Sequence, residues 1–217
     1  KFFGIFFLVL LPQLGFAQTA EQKVSLPSNV DERRLSSKLM GREMPYRVIL
    51  PVKYERNKDA RYPVIYLLHG LTGHYNNWTE LTKLVDHATA FDAIVVTPEG
   101  ENGWYTDHSS KPDENWESYI ISELIPEIDR GFRTASSRDK RVIAGLSMGG
   151  YGSLKFGLKY PDKFVLAGSF SGALGGASYT EKLIPGAIGR TIDGIFGPVG
   201  SDTRKSNDIF EIVRSLN

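Results

Sequence analysis

Residues 145–149 read GLSMG, and this stretch decides how the rest of the chain is interpreted. An apolar run, VIA, precedes it at 142–144, and a segment of helical character follows at 151–160. A serine between two glycines at a strand-to-helix turn is typical of a catalytic nucleophile, because the sharp turn lifts the hydroxyl off the end of a sheet. Side chains at Gly145 and Gly149 would clash in such a turn. We therefore predict that Ser147 is a nucleophile.

A second motif, YPVIYLLHGLTG, occupies residues 62–73. Its five consecutive apolar residues end at a small-residue turn, which is typical of a strand buried on both faces of a parallel sheet. His69 and Gly70 then fall at the carboxyl end of that strand. The favoured interpretation of His69 is a turn histidine that hydrogen-bonds the backbone, in preference to a proton-transfer role.

The order of the remaining elements predicts an α/β fold. Apolar, partly β-branched runs predict strands at 46–54, 91–97 and 164–170, the first of them antiparallel and near an edge. Helical spacing predicts helices at 76–90, 114–132 and 208–216, and Pro126 is a candidate kink in the second. Alternating strands and helices imply a mostly parallel sheet covered on both faces, with ligands beyond the carboxyl ends of its strands.

In these motifs the chain resembles the esterase D, antigen 85 and S-formylglutathione hydrolase group of α/β-hydrolases. That group also includes secreted feruloyl and acetyl-xylan esterases. The matching stretches are 62–78, 103–107, 116–129 and 141–174, which together run through most of the chain after about residue 48. The combination is specific to the superfamily and fairly specific to this branch, but it does not fix the substrate.

The resemblance implies a mechanism with an acyl-serine intermediate, and it implies which residues surround the serine. Two backbone N–H groups should form the oxyanion hole, one from Met148, the residue after the nucleophile, and one from Leu71. Gly70 belongs to the same loop and is expected at the substrate pocket. Trp104 and Tyr105 are expected to form an aromatic wall of that pocket.

The catalytic histidine is the main departure from the family pattern. The triad of this fold runs serine, then Asp or Glu, then histidine, yet all four histidines of this chain precede Ser147. We expect the acid and the base to lie beyond Asn217, so that the chain is a fragment that is by itself nearly inactive. His108 is the alternative base, although a role for its loop in lining the site is preferred. Asp162 and Asp193 are not predicted to be the triad acid.

The glycine-rich segment 175–207, with interspersed isoleucines, is too long and apolar for a simple connector. Two interpretations stay open and are about equally favoured. The segment is either an insertion over the pocket that shapes the acyl or alcohol site, or a surface excursion packed on the edge of the sheet.

Composition excludes several classes of function. Lys plus Arg total 26 and Asp plus Glu total 25, so no charge excess points to nucleic acid or an anionic membrane. Without cysteine there is no disulfide framework, thiolate metal site or lipidated cysteine anchor. Nothing in the pattern suggests a metal or an organic cofactor. The length fits one globular domain over 18–217, and the oligomeric state stays open.

The first residues predict a targeting segment. Lys1 precedes an apolar run at 2–11, and Gly15-Phe16-Ala17 places small residues where a signal peptidase needs them. The run is too short to span a bilayer, so we expect residues 1–17 to be a signal peptide and the mature protein to be exported, with no stable membrane anchor. Export disfavours an S-formylglutathione hydrolase, which serves a cytosolic thiol substrate. Gly73 also takes a place where a cysteine is common in that subgroup.

These expectations leave four functions open. The strongest is an exported serine hydrolase of small acyl, acetyl or feruloyl esters, with a small-molecule or carbohydrate ester as substrate. An antigen 85-like acyltransferase would use the same serine, with a sugar hydroxyl in place of water. A thioesterase like S-formylglutathione hydrolase is less favoured. A non-catalytic binding protein on the same scaffold is disfavoured because Ser147 and its two glycines are intact.

Overall fold

Six strands form a single sheet in a computed structural model that describes residues 26–216. They are β1 (Val30–Ser37), β2 (Arg42–Ile49), β3 (Val64–Leu68), β4 (Ile94–Pro98), β5 (Arg141–Leu146) and β6 (Leu166–Phe170). Their order across the sheet is β1-β2-β4-β3-β5-β6. The pairs β1–β2 and β2–β4 are antiparallel, whereas β4, β3, β5 and β6 run parallel. The predicted mostly parallel sheet is confirmed. The predicted signal peptide lies outside the described residues.

From β3 onward, helices alternate with the strands. They are α1 (Asn77–Glu80), α2 (Leu84–Ala88), α3 (Trp116–Ser118), α4 (Ile125–Gly131), α5 (Met148–Lys159), α6 (Ala187–Phe196), α7 (Asp202–Lys205) and α8 (Ile209–Ser215). Short 3₁₀ turns occur at Arg138–Lys140 and Gly176–Ser178. No helix of residues 26–216 is long and apolar enough to cross a membrane.

Helices cover both faces of the sheet, as predicted. The larger apolar core packs α3, α4 and α5 on one face, and a smaller core packs α2 on the other. Every residue of β4 is buried. Strands covered on both faces must be apolar throughout, which is why β3 and β4 are recognisable as continuous apolar runs.

The predicted helix at 76–90 is wrong as a single element. Two short helices replace it, and Leu81, assigned to the apolar face, is 73% exposed. The Thr82 hydroxyl donates to the Trp78 carbonyl and accepts the Leu84 N–H. Such local side-chain hydrogen bonds compete with the helical ladder. Trp78, Leu84 and Val85 do pack against the smaller core.

The predicted helix at 114–132 is observed over 116–131, and a π-helical stretch interrupts it ahead of Pro126, whereas the kink expected at Pro126 stays a prediction. Helical structure runs from α3 through a π-helical stretch, Tyr119–Leu124, into α4. Pro126, which has no N–H to donate, follows directly. The Ile125 N–H bonds the Ile120 carbonyl five residues back, which is the spacing of a π-bulge.

Strand boundaries differ from prediction by a few residues. β2 ends at Ile49 because a turn follows, in which the Tyr54 N–H bonds the Pro51 carbonyl. β4 begins at Ile94, and Phe91 is 65% exposed ahead of it. β6 lies at the edge of the described sheet, where Phe170 is 59% exposed. The helix predicted at 208–216 is confirmed as α8, with Asp208 as its N-cap.

Candidate active site

Ser147 occupies the sharp turn between β5 and α5. Its backbone is left-handed, with φ 55° and ψ −114°, a conformation that L-residues rarely adopt outside functional sites. A Cβ on Gly149 would lie 2.5 Å from the Leu68 carbonyl oxygen, and one on Gly145 would overlap the Gly149 carbonyl. The prediction that this turn requires both glycines is confirmed.

The backbone of Ser147 is fixed by the last residue of β6 and by the segment that follows that strand. Its N–H donates to the Phe170 carbonyl at 3.0 Å, and its carbonyl accepts the Ala173 N–H at 3.0 Å. Within residues 26–216 the Ser147 hydroxyl has no hydrogen-bond partner, and the residue is only half-buried. The hydroxyl is therefore available at the carboxyl edge of the sheet, as predicted for ligands of such folds.

The loop after β3 lies directly against this serine. A Cβ on Gly70 would be 3.5 Å from Ser147 Cβ. Among the described residues, the N–H groups of Leu71 and Met148 have no hydrogen-bond partner. Met148 is the first residue of α5, where helix geometry leaves the N–H free and the helix dipole favours negative charge. Two unpaired donors therefore accompany the serine, and their role as an oxyanion hole stays a prediction.

His69 is buried at the end of β3, with 2% of its surface exposed. Its Nδ1 lies 2.8 Å from the Gly70 carbonyl oxygen, so the predicted histidine-to-backbone hydrogen bond is confirmed. Its Nε2 lies 3.2 Å from Glu99 Oε1. Sequence reasoning did not anticipate this second contact.

Glu99 is the main site residue that the sequence analysis missed. It follows β4 directly and is 4% exposed. Burial alone would raise its pKa, but hydrogen bonds from His69 and from the N–H groups of Glu101 and Gly100 outweigh that effect and lower the pKa to about 2. An acid at the carboxyl end of a strand next to β3 was the available signal.

Trp104 and Tyr105 lie beneath the loop after β3. Both have left-handed backbones, with φ of 52° and 49°, and their exposures are 4% and 0%. The indole packs edge-on against Tyr151 and Phe196, and the Tyr105 hydroxyl donates to the His69 carbonyl at 3.1 Å. Neither side chain borders the two cavities described below. They support the site from below, and their expected contact with substrate as a pocket wall stays a prediction.

A buried ammonium group holds this aromatic loop from underneath. Lys155 on α5 is fully buried, and its Nζ donates to the Tyr105 carbonyl at 2.7 Å and to Thr106 Oγ1 at 2.8 Å. Glu117 on α3 is its carboxylate partner at 2.7 Å. Burial lowers the Lys155 pKa to about 8 although Glu117 acts in the opposite direction.

Two cavities flank the loop after β3, and Thr72 and Gly73 border both. The larger cavity has a volume of about 850 Å³. It lies between three parts of the chain, which are the loop after β3, the loop after β4 and helix α6. Its polar lining comprises Thr72, His74, Glu101, Asn102, His108, Lys111, Glu114, Arg190 and Thr191. The smaller, about 300 Å³, is mainly apolar and adjoins the serine turn. Its apolar lining comprises Leu71, Trp78, Leu81 and Leu146.

The segment 175–207 supplies one wall of the larger cavity. Residues of α6 line it, while Ile192 and Phe196 pack into the main core. Arg204 fixes the segment through hydrogen bonds to the Ala177 and Gly197 carbonyls. The segment therefore lies beside a cavity, and its predicted role in shaping the acyl or alcohol site stays a prediction.

The other candidate acid–base residues are engaged elsewhere. His108 Nδ1 accepts the Ser110 N–H at 3.2 Å, and its Nε2 faces Gly194 of α6. Asp162 is exposed, and Asp193 pairs with Arg204 at 2.7 Å. Across residues 26–216 no histidine hydrogen-bonds Ser147, and no group of three or more His, Cys, Asp or Glu side chains is placed to hold a metal ion.

The sheet order, the serine turn and the covered faces define an α/β-hydrolase. The chain belongs to the Esterase family, described as "Putative esterase", whose model matches residues 37–208. The recognition of this group from the sequence is confirmed.

Curated relatives are named for related activities. An acetyl esterase of Caldicellulosiruptor saccharolyticus is 35% identical over 144 residues, covering 64% of this chain and 54% of the relative. An endo-1,4-beta-xylanase/feruloyl esterase of Xylanibacter ruminicola is 32% identical over 168 residues, covering 72% and 23%. The diacylglycerol acyltransferase/mycolyltransferase Ag85B of Mycobacterium leprae is 28% identical over 216 residues, covering 92% and 63%. The chain thus spans less than two thirds of each of these relatives.

Solved structures agree with the fold. A ferulic acid esterase superposes with a TM-score of 0.69 at 28% identity, covering 86% of this chain and 73% of that one. An S-formylglutathione hydrolase from Agrobacterium tumefaciens superposes with a TM-score of 0.72 at 23% identity, covering 86% and 70%. The second likeness concerns the fold alone.

Proposed function

We propose that the full-length protein is a carboxylic-ester hydrolase in which Ser147 forms an acyl-enzyme. One observation carries this proposal: a half-buried serine hydroxyl at a strained turn, beside two backbone N–H groups, none of the three having a hydrogen-bond partner within residues 26–216. Ser147 Oγ attacks the ester carbonyl, its proton passes to a base, and the alcohol leaves after accepting a proton. The N–H groups of Leu71 and Met148 hold the oxyanion. Water then adds to the acyl-serine and releases the acid.

We further propose that the triad acid and histidine come from residues that follow Asn217 in the full-length protein. None of the described histidines reaches Ser147. The outer edge of β6 also carries exposed apolar side chains, Leu166 at 54% and Phe170 at 59%, as expected of a surface that another segment covers. The chain as given should be nearly inactive, because loss of a triad member leaves only ~10³ to 10⁴-fold catalysis over water.

The two cavities support separate binding sites for the acyl group and the alcohol group of the substrate. The apolar cavity beside Leu71 and Leu146 suits the acyl group, since burying apolar surface stabilises binding by about 25 cal/mol per Å². The polar cavity beside Asn102 and Thr191 offers many hydrogen-bonding groups and suits a hydroxyl-rich alcohol. A small acyl, acetyl or feruloyl ester of a carbohydrate satisfies both requirements. The acetyl and feruloyl esterases among the relatives support the same choice.

Export is a separate proposal that rests on residues 1–17 alone. N-terminal sequencing of protein recovered from the medium or the periplasm should begin at Gln18. Recovery only from the cytosol with Lys1 retained would contradict export and would favour the thioesterase alternative.

The decisive experiment treats the full-length protein with a fluorophosphonate probe and with a panel of sugar esters. We expect the probe to label wild type but not Ser147→Ala, and acid to be released from acetylated or feruloylated sugar. Folded protein without labelling would overturn the hydrolase proposal and favour a binding protein. Transfer of acyl groups to added sugar, with less free acid, would instead identify an acyltransferase, and turnover of thioesters alone would identify a thioesterase.

A further inference from the structure

The peptide unit between Gly70 and Leu71 carries both a bound carbonyl and an unpaired N–H. A trans peptide is planar, with its C=O and N–H pointing in opposite directions. Residues 26–216 contain no cis peptide bond. Whatever fixes the Gly70 oxygen therefore also fixes the direction in which the Leu71 N–H points.

Two donors fix that oxygen. His69 Nδ1 lies 2.8 Å from it and the Gly73 N–H lies 3.0 Å from it. A carbonyl oxygen only accepts hydrogen bonds and has two lone pairs, so Nδ1 must carry the proton and both acceptor positions are filled. Among residues 26–216, the imidazole of His69 is thus the one side chain that hydrogen-bonds the oxygen of this peptide.

Hydrogen bonds and ring packing fix the position of His69 itself. Its Nε2 donates to Glu99 Oε1 at 3.2 Å, and the Gly100 N–H donates to the same carboxylate oxygen at 2.9 Å. The Tyr105 hydroxyl binds its carbonyl, and the Tyr105 ring lies 5.7 Å from the imidazole, centroid to centroid. Because the ring is 2% exposed, it has no room to turn away from Gly70.

Glu99 also fixes the far end of the same loop. Its Oε2 lies 3.2 Å from His74 Nδ1 and accepts the Tyr75 N–H at 3.4 Å. The carboxylate is anchored in turn by the N–H groups of Gly100 and Glu101. One buried carboxylate at the end of β4 therefore connects both ends of the loop that contains Leu71.

We propose that His69, held by Glu99, is a positioning residue that aims the Leu71 N–H at the oxyanion of the transition state. The inference rests on the proposed hydrolase function. The hydrogen bond to the Gly70 oxygen also polarises the peptide, which strengthens its N–H as a donor. His69 touches no reacting atom and exchanges no proton with the substrate.

Substitutions at position 69 separate the two hydrogen bonds of the ring. The side-chain nitrogen of asparagine is attached to Cγ, as Nδ1 is, so His69→Asn retains a donor toward the Gly70 oxygen. The nitrogen of glutamine is one carbon further out, so His69→Gln retains the contact with Glu99 and loses the one with Gly70. A role limited to core stability would affect both variants alike, whereas a positioning role affects them differently.

The kinetic test uses full-length protein and p-nitrophenyl acetate. Complete loss of an oxyanion donor costs ~10² to 10³ in kcat, so we expect kcat of His69→Gln to fall by about 10- to 100-fold with KM changed by less than about threefold. His69→Asn should retain most of kcat. The affinity for phenylboronic acid, which places an oxygen in the hole, should fall in parallel with kcat. His87 is an exposed residue of α2, so His87→Asn is the control and should match wild type.

A second readout does not depend on turnover. The ¹⁵N–¹H resonance of Leu71 should shift in His69→Gln and stay close to wild type in His69→Asn. Equal effects of both variants on the Leu71 resonance and on kcat would overturn the inference. A wild-type protein that hydrolyses no ester would contradict the proposed function, and the Leu71 resonances would still decide whether His69 orients this peptide.

Discussion

Lys155 and Glu117 form an ion pair of 2.7 Å in the interior of the protein, with side chains 0% and 7% exposed. The pair lies directly below the loop of Trp104 and Tyr105, because Lys155 Nζ also binds the Tyr105 carbonyl. Lys159 and the Tyr160 hydroxyl complete the surroundings of Glu117. The site is therefore supported by buried charge as well as by apolar packing, and several expected outcomes depend on that arrangement.

Removing the carboxylate of Glu117 should be costly. Glu117→Gln leaves the Lys155 charge buried without its carboxylate, and breaking such a pair typically destabilises a protein by ~3 to 5 kcal/mol. Urea unfolding monitored by fluorescence measures the change. Glu127→Gln, which removes an exposed ion pair with Arg130, is the matched control and should cost less than about 1 kcal/mol. Equal costs for the two variants would contradict a supporting role for the buried pair.

Stability should fall on acidification. The Glu117 pKa is about 2 because Lys155 and Lys159 outweigh the effect of burial, and that of Glu99 is also about 2. In the unfolded chain both are near 4.5, so the unfolded state binds more protons between these values. The stabilisation is complete above pH 4.5 and is lost as the pH falls toward 2. Melting temperatures across this range should decline less steeply in Glu117→Gln than in wild type.

Adding a methyl group at Gly149 in the serine turn should strongly destabilise the protein. In Gly149→Ala the new Cβ would meet the backbone carbonyl of Leu68 at 2.5 Å, and backbone cannot yield as a flexible side chain can. We expect a loss of more than about 3 kcal/mol in stability, or failure to fold. In the control, Gly131→Ala, the Cβ meets only Arg33 at 3.6 Å, and stability should change by less than about 1 kcal/mol.

The apolar cavity should control acyl preference. Leu81 borders it and is 73% exposed, so Leu81→Ser can be made without disturbing the core. With about 0.8 kcal/mol per buried CH₂, KM for butyrate or ferulate esters should rise by roughly three- to tenfold, and KM for acetate much less. Leu183→Ser, equally exposed but away from this cavity, is the control. An unchanged preference would place the acyl group elsewhere.

His108 should affect the alcohol side and leave the chemistry intact. Burial, together with nearby Lys111, lowers its pKa, and its Nδ1 is committed to the Ser110 N–H. In His108→Ala we expect kcat for p-nitrophenyl acetate within about threefold of wild type and a raised KM for sugar esters. A fall in kcat of ~10² to 10⁴, the usual value of a general base, would instead identify His108 as that base.

Local patterns predicted most elements, missed β1, α6 and α7, and failed at residues 76–90, where side chains competed with the backbone. β3, β5 and α5 followed from apolar runs and from glycines whose clashes can be foreseen within one turn. The break after α1 depends on the Thr82 hydroxyl, which hydrogen-bonds the backbone on both sides of itself. Threonine is compatible both with a continuous helix and with a break in it, so the apolar periodicity alone could not predict where the helix is interrupted.

Glycine spacing and buried apolar strands are local constraints, so the fold class, the serine turn and the loop that faces it could be predicted from the residues alone. Three features emerge only from contacts in the folded protein: Glu99 holds His69, Lys155 bonds the Tyr105 carbonyl, and a polar and an apolar cavity share Thr72. These contacts join residues 30 to 50 positions apart. Which residues meet in these contacts depends on the order of the strands across the sheet and on the burial of charged groups. Neither can be inferred from a local sequence pattern.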